Sequence, residues 1–310
     1  MTHRLLAVHA HPDDESLTMA GTLAGAVASG ARVTLVTATL GEQGEVIGDE
    51  LAGLTADRAD QLGGYRYTEL RSACAALGLA DHRMLCGLGT FRDSGMAGTP
   101  SAAHPRAFAR AAVGGPDHAR AVAGLVDVIE ETRPLVLLTY DADGGYGHPD
   151  HVAAHQVAMA AVVAASWRVP RVLGVVRPAA AFTAALAALE IRAPYRRVPA
   201  ADLGSLIDDA VVAVAVPVTR WSGQRRAALA AHATQVTLFG GAAATGFALS
   251  NGFGQPLADH EYYRVLAGDP VPAGPDGAPA SDVFAGLADP FAEGAGAAAG
   301  SAAGSSSGQS

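Results

Sequence analysis

Acidic residues and histidines cluster in two short segments of the 310-residue sequence. The first is HPDDE at residues 11–15, directly after the apolar run RLLAVHA, and the second is DADGGYGHPDH at residues 141–151, directly after LVLLTY. A dinucleotide-binding protein would instead carry G-x-G-x-x-G in the turn after its first strand. Carboxylates and imidazoles are ligands of zinc and similar ions, so the two segments indicate a cation site.

Two residues of the first segment have the spacing of a chelating pair. His11 and Asp14 lie three positions apart across a predicted strand-to-helix turn and could bind one ion together. The second segment and the helix after it offer three candidates for a third ligand, namely His148, His151 and His155. His148 precedes a proline and is expected in the loop, and His155 on an alanine-rich helix is more typical of a packed core residue. Spacing alone leaves the third ligand open among these three.

The remaining polar residues of both segments suit hydrolysis at such an ion. Asp13 could take a proton from water as a general base, and Tyr146 or His148 could donate a hydrogen bond to an oxyanion. Each segment alone also has an ordinary structural interpretation. An acid after a strand commonly caps a helix, and GGYG is typical of a glycine turn.

The elements around both segments predict that they meet. Strands are predicted at 4–10, 32–39, 83–88 and 135–140, and helices at 16–29, 56–78, 117–132 and 150–166. Continuous apolar strands separated by helices indicate an α/β fold, with a Rossmann-like, mostly parallel sheet and helices on both faces. With strand order 3-2-1-4-5, the first and fourth strands are neighbours where the winding reverses, and both segments face one crevice. This meeting favours catalysis over the structural interpretations.

The second half of the chain is less regular and predicts a smaller C-terminal lobe. Further strands are predicted at 171–177 and 208–218, and a helix within 219–236. We therefore expect a metal-binding catalytic core at 1–170, an extension at 171–267 that completes the substrate pocket, and a tail at 268–310. The tail is rich in Gly, Ala, Ser and Pro and is expected to be disordered, because it has little apolar surface to bury.

Composition limits the partners and the compartment. A formal net charge of −9 without a basic cluster argues against nucleic acid and anionic membrane surfaces as partners. No run approaches the roughly 20 apolar residues that cross a bilayer, and no leader pattern precedes the first strand, so we expect a cytoplasmic protein. Cys74 and Cys86 form no metal or redox motif and are expected to be reduced core residues.

The motifs AVHAHPDDES and YDADGGYGHPDH together resemble those of the LmbE-like (PIG-L-like) zinc-dependent N-deacetylases, which remove acetyl groups from N-acetylglucosamine conjugates. The similarity extends over about residues 4–266 to the branch of that family that acts in mycothiol biosynthesis. It is carried by TLGEQGEVIGD (39–49), LTADRADQLGGYRYTEL (54–70), RDSGMAGTP (92–100) and RRAALAAHATQV (225–236). The resemblance implies a small glycoside as substrate, with hydrolysis of the N-acetyl amide of a glucosaminyl-inositol.

The resemblance also implies the metal site by position. The ligands fall on His11, Asp14 and His151, and the general base falls on Asp13. One zinc ion per subunit is implied, although an N,N,O ligand set also accepts iron(II) and other divalent ions.

Further roles follow from the same resemblance. Tyr146 and His148 are implied on the oxyanion side, with Asp150 placed to orient His148 and to favour its charged form. Either Asp13 or His148 would protonate the departing amine. Substrate hydroxyls are implied to face Glu45, Arg66 and Asp93.

Two alternatives differ in function. A sister branch cleaves mycothiol S-conjugates at the same sugar amide and would share the metal ligands. The sequences GEQGEVIGD and GGYGHPDH favour the deacetylase branch. The other alternative is a non-catalytic sugar-binding α/β module, and the complete set of His and Asp residues argues against it.

Overall fold

A computed structural model describes residues 3–199, 205–241 and 244–288 of the chain. Its strands are β1 (Arg4–His9), β2 (Arg32–Thr37), β3 (Asp81–Met84), β4 (Val136–Tyr140), β5 (Arg171–Pro178), β6 (Arg196–Arg197), β7 (Leu206–Ile207), β8 (Val214–Pro217), β9 (Thr237–Gly241), β10 (Ala244–Ala248), β11 (Phe253–Pro256) and β12 (His260–Gly268). Its α-helices are α1 (Asp14–Thr18), α2 (Ala20–Ala28), α3 (Leu62–Leu77), α4 (His118–Thr132), α5 (Pro149–Ala164), α6 (Ala179–Ala188) and α7 (Ser222–Ala231).

The main sheet has the order β3-β2-β1-β4-β5-β12-β8, and β7 pairs with the last two residues of β5. The first five strands of this order run parallel, whereas β12 is antiparallel to both β5 and β8. The predicted α/β, Rossmann-like fold and the order 3-2-1-4-5 are therefore confirmed. The sheet continues beyond the prediction, because strands of the second half join it.

Two apolar cores cover the two faces of this sheet. Alternation along β1 sends Leu5 and Ala7 into the core beneath α2 and α3, and Leu6 and Val8 into the core beneath α4 and α5. Both faces are thus buried, which explains why β1 and β4 read as unbroken apolar runs. Within the described ranges, no helix combines the length and the apolar character needed to span a membrane.

Several element boundaries differ from the sequence prediction. The third strand spans Asp81–Met84 instead of 83–88, because the chain turns at Cys86 with a φ of 58°. Cys86 is therefore half-buried in a turn and not a core strand residue, whereas Cys74 is buried as expected. Of the predicted strand 208–218, only Val214–Pro217 is extended within the main sheet.

The first predicted helix, 16–29, is divided at Met19 into α1 and α2. The side chain of Glu261 on β12 accepts hydrogen bonds from the backbone N–H groups of Gly21 and Thr22, each at 2.8 Å. A carboxylate at a helix N-terminus accepts hydrogen bonds from free N–H groups and is attracted by the positive end of the helix dipole. A residue 240 positions away from Gly21 therefore caps α2.

The second half contributes to two sheets. Strands β5, β8 and β12 belong to the main sheet, so the predicted boundary at 170 runs through that sheet. A separate four-stranded sheet, β6-β11-β10-β9, forms within the predicted extension 171–267. We refer to this smaller sheet as the second sheet.

The chain after Gly268 packs on the main sheet. Val283 and Phe284 are buried in the core beneath α2 and α3. The guanidinium of Arg171, which is 1% exposed, donates to the carbonyl oxygens of Pro270 at 2.8 Å and Val283 at 2.9 Å. The expectation of disorder from Gly268 is therefore wrong for residues 268–288, because a few apolar residues and one buried arginine fix a Pro/Gly-rich segment. The rest of the predicted tail, 289–310, lies outside the described residues.

Candidate active site

Strands β1 and β4 pair in parallel, so the segments that follow them meet at the carboxyl edge of the sheet. His11, Asp14 and His151 come together there, and each is at most 6% exposed. Nδ1 of His11 lies 3.2 Å from Nε2 of His151 and 3.5 Å from Oδ2 of Asp14. Nε2 of His151 lies 3.4 Å from Oδ1 of Asp14. The three residues implied as ligands thus lie next to one another, with Oδ2 of Asp14 towards His11 and Oδ1 towards His151.

The outer nitrogen of each imidazole is fixed by an oxygen acceptor. Nε2 of His11 donates to Oδ2 of Asp150 at 3.1 Å, and Nδ1 of His151 donates to the carbonyl oxygen of Gly144 at 3.0 Å. The two inner nitrogens then face each other as lone pairs beside a carboxylate, so a proton or a metal ion must lie between them. Ligand atoms around a tetrahedral zinc with bonds of about 2.0–2.2 Å are about 3.3–3.5 Å apart. The donor set therefore fits a divalent ion such as zinc.

Electrostatics around these residues favours the metal-binding forms of His151 and Asp14 but the protonated form of His11. Burial lowers the pKa of His151 to about 4 against the opposing effect of Asp14. Burial also opposes charge on His11, but Asp93, Asp14 and Asp150 outweigh it and raise the pKa of His11 well above 6.5. For Asp14, burial is outweighed by His151 and His11, and its pKa lies well below 3.8. A neutral His151 and an ionised Asp14 are the forms that bind a metal ion.

Tyr140, the last residue of β4, supports two of these residues. Its hydroxyl donates to Oδ2 of Asp14 at 2.6 Å and accepts the N–H of Ala10 at 2.8 Å. Its ring stacks on His151 with a centroid distance of 4.1 Å. Its carbonyl oxygen accepts a hydrogen bond from Nδ1 of His155 at 2.9 Å, so His155 has a structural partner. Sequence reasoning missed Tyr140, whose only signal is its position immediately before DADGG.

Asp13 has a strained backbone, with a φ of 107°, in a region that residues with a β-carbon rarely adopt. Its carboxylate contacts Nη2 of Arg66 at 3.1 Å. Its backbone N–H donates to Oε2 of Glu15 at 3.1 Å. Burial raises the pKa of Asp13 to about 7 despite the charge of Arg66, and the charge of Asp14 raises it further. A group with a pKa near 7 can both accept and donate a proton at neutral pH.

Glu15 is itself held by the C-terminal half of the chain. Its Oε1 lies 2.8 Å from Nε2 of His232, which directly follows α7, and both side chains are fully buried. Burial works against charge on both groups, but their attraction prevails, so the pKa of Glu15 is lowered and that of His232 is raised. The strained turn at Asp13 is therefore supported by a buried ion pair that sequence reasoning did not identify.

Arg66 and Asp93, which are expected to contact substrate hydroxyls, are buried beside the site. Arg66 is 3% exposed, and its guanidinium donates to the carbonyl oxygens of Gly41, at 2.7 Å, and Pro12. Asp93 is 4% exposed and accepts the N–H of Gly95 at 2.8 Å. Both side chains satisfy buried backbone groups. Of the three predicted substrate residues, only Glu45 is exposed.

The carboxylate of Asp150 orients His11 instead of His148. Its Oδ2 accepts hydrogen bonds from His11 and from the N–H of Ser94, whereas only its backbone N–H donates to Nδ1 of His148, at 3.2 Å. Burial and the neighbouring His11 lower the pKa of His148, although Asp150 acts to raise it. These directions favour a neutral His148, against the expectation that Asp150 makes it charged, because burial and the charge of His11 outweigh the carboxylates.

His148 and Tyr146 border the three converging ligands. A ring nitrogen of His148 lies within 4.8 Å of ring nitrogens of His11 and His151, so these three histidines could also hold an ion. A second such set consists of His11, Asp93 and Asp150, whose ligand atoms also lie within 4.8 Å of one another. The ring of Tyr146 meets His151 edge-on at 5.0 Å, and its side chain is exposed. Tyr146 is therefore open to a ligand that approaches from solvent, whereas His148 is buried beside the ligands.

Comparison with known proteins agrees with this site. The family described as PIG-L, GlcNAc-PI de-N-acetylase, matches residues 6–162, which include both segments. A protein of Nakamurella multipartita is 66% identical over 92% of this chain and 96% of its own length. One of Nocardia farcinica is 48% identical over 93% of this chain and 98% of its own. Both are named 1D-myo-inositol 2-acetamido-2-deoxy-alpha-D-glucopyranoside deacetylase.

Among solved structures, a complex of a deacetylase with teicoplanin matches 85% of this chain and 99% of its own, with 18% identity and a TM-score of 0.48. The family match covers half of the chain, and the two relatives cover nearly all of it. The chain therefore belongs to the PIG-L family of N-deacetylases.

Proposed function

We propose that this chain hydrolyses the N-acetyl amide of 1D-myo-inositol 2-acetamido-2-deoxy-α-D-glucopyranoside, giving glucosaminyl-inositol and acetate for mycothiol biosynthesis. The observation that carries the reaction type is the pair of inner imidazole nitrogens, 3.2 Å apart beside Asp14 and next to Asp13. The substrate follows from the relatives named above, which are 66% and 48% identical over nearly the whole chain.

His11, Asp14 and His151 would hold the metal ion, which we take to be zinc, although the same donors accept iron(II). When bound, such an ion polarises a carbonyl group and lowers the pKa of water. Binding of the ion would release the proton of His11, and two neutral imidazoles with one carboxylate would leave the ion a net positive charge. Asp150 and Gly144 fix the two rings from outside, and Tyr140 fixes the carboxylate.

Asp13 is proposed as the general base. Its carboxylate is held by Arg66 and its backbone by Glu15, beside the proposed ligand Asp14. It takes a proton from the attacking water and, once protonated, gives it to the departing amine. A pKa of about 7 suits both directions of transfer.

Tyr146 and His148 are proposed as donors to the oxyanion. Because Nδ1 of His148 accepts the N–H of Asp150, the proton of the neutral ring lies on Nε2 and can be donated. The phenol of Tyr146 is exposed beside it. With His148 neutral, Asp13 is the better proton donor to the amine.

The substrate is proposed to be a small glycoside, as the names of the two relatives indicate. A cytoplasmic location and the absence of nucleic-acid and membrane partners remain predictions from the sequence. The extension 171–267 is proposed to complete the pocket, since His232 already supports Asp13 from within it.

The test is to measure bound metal and acetate release on one preparation. Chelated protein should release no acetate from the acetylated glucosaminyl-inositol, and one equivalent of zinc per chain should restore release. Tight binding of the glycoside without acetate release, in the presence of zinc, iron(II) or cobalt, would favour the non-catalytic module instead.

A further inference from the structure

A recess of about 310 Å³ lies between the loop at residues 45–48 and the second sheet. This volume is at the lower end of the range for small-molecule sites. Its polar lining includes Glu45, Thr237, Ser250 and Tyr195. Among the residues that the structure describes, none of these four side chains has a hydrogen-bond partner, so their polar atoms are available to a ligand.

The walls of this recess are fixed by contacts with the segment after α7. The N–H of Ile47 donates to the carbonyl oxygen of Thr234 at 2.9 Å, and the amide of Gln235 donates to the carbonyl oxygen of Glu45 at 3.1 Å. The ring of Tyr195 stacks on Phe239 with a centroid distance of 4.3 Å. A recess with anchored walls loses little conformational entropy when a ligand binds.

The recess is also close to the catalytic turn. Arg66 contacts Asp13 at 3.1 Å, and a β-carbon on Gly44 would lie 2.7 Å from Nη1 of the same Arg66. With standard backbone geometry, these contacts place the α-carbon of Glu45 within about 13 Å of the Asp13 carboxylate. A glycoside of two six-membered rings can bridge this distance.

We propose that this recess binds the cyclitol part of the substrate, the inositol ring, while the acetamido sugar lies at the metal centre. The inference rests on the proposed function. Of the residues expected to contact substrate hydroxyls, Glu45 has an exposed side chain, and it lines this recess. Glu45 accepts hydrogen bonds, the hydroxyls of Thr237 and Ser250 donate and accept them, and the Tyr195 ring offers an apolar face to the ring C–H groups.

The position of these residues along the chain supports a role in specificity. Tyr195, Thr237 and Ser250 lie beyond residues 6–162, the part that matches the family as a whole. The family segment supplies the metal centre, whereas the strand β9 and the loops beside the second sheet supply groups that a different branch need not share. Substrate selection by the recess is therefore separable from the chemistry.

The test compares kcat/KM for the acetylated glucosaminyl-inositol with kcat/KM for methyl N-acetyl-glucosaminide, which lacks the cyclitol. Thr237→Val and Ser250→Ala each remove one hydrogen-bonding group, and we expect the ratio of the two values to fall about threefold to tenfold for each. The triple variant with Glu45→Gln should lower it by about 30-fold or more. Ser281→Ala, at an exposed serine outside the recess, is the matched control and should keep the wild-type ratio.

A second measurement reports on the recess directly. Amide hydrogen exchange with added glucosaminyl-inositol should slow at 45–48 and 249–252, and Ser250→Ala should weaken this protection. A triple variant that keeps the wild-type ratio and the wild-type protection would overturn the recess assignment while leaving the deacetylase intact. A wild-type enzyme that cleaves neither acetylated compound would instead overturn the proposed function.

Discussion

Oε1 of Glu15 lies 2.8 Å from Nε2 of His232, so two buried side chains 217 positions apart form an ion pair. The other carboxylate oxygen of Glu15 accepts the N–H of Asp13, where the backbone φ is 107°. Strained backbone persists only where its surroundings hold it. The C-terminal half of the chain therefore determines how the proposed general base is presented to the metal centre.

His232→Ala should lower kcat with little change in KM or in bound zinc, because it releases Glu15 and displaces Asp13. A displacement of about 1 Å at a reacting group costs on the order of 100-fold in rate. His232→Gln keeps a side-chain N–H donor and should recover part of the loss. The control is His118→Gln at a half-buried histidine on α4. Unchanged kcat in His232→Ala, at full zinc content, would show that the pair does not position Asp13.

Asp13→Asn should keep bound metal and lower kcat steeply. The amide has the shape of the carboxylate but cannot accept a proton from water, and loss of a general base typically costs about 10²–10⁴-fold. Metal content by elemental analysis and single-turnover rates separate the two effects. If the variant loses its metal ion, Asp13 is a ligand and not the base.

Replacement of His11, Asp14 or His151 by Ala should abolish tight metal binding and activity together. His155→Ala is the matched control, since the Nδ1 atom of His155 contacts the Tyr140 carbonyl and not the three ligands. It should keep one zinc per chain. If His151→Ala keeps its zinc and His155→Ala loses it, the third ligand is His155 and not His151.

A chain that ends at Gly268 should lose stability, because it removes buried Val283 and Phe284 and leaves Arg171 without its carbonyl acceptors. We expect a loss of at least about 3 kcal/mol in the free energy of unfolding, which corresponds to a Tm lower by roughly 5 °C for a chain of this length. A chain that ends at Ala288 should keep the wild-type Tm, since the Gly/Ala/Ser composition of 289–310 supports no core. Equal Tm values for both truncations would contradict the packing of 269–288.

The sequence allowed the parallel sheet and its strand order to be predicted, because each buried strand is a continuous apolar run followed by a helix. The same pattern also predicted that the segments HPDDE and DADGGYGHPDH meet at one edge of the sheet. These features depend on local pattern and on the general rules of chain winding.

Other features could not be predicted, because they depend on contacts between distant positions. Glu261 caps α2 from β12, and His232 supports Glu15 from beyond α7. The burial of Arg66 and Asp93 could not be predicted either, because a sequence does not distinguish charged side chains that point inward from those that point outward. Asp150 follows His148 by two positions, yet its carboxylate bonds His11 across the fold.

The most direct test of the proposed function is kcat/KM on one zinc-loaded preparation for three compounds, namely the acetylated glucosaminyl-inositol, free N-acetylglucosamine and a mycothiol S-conjugate. We expect the first to be cleaved fastest, because a remote polyol helps to position the amide. Free N-acetylglucosamine should lose rate as well as affinity. A clear preference for the S-conjugate would contradict the deacetylase assignment and identify the chain as an S-conjugate amidase.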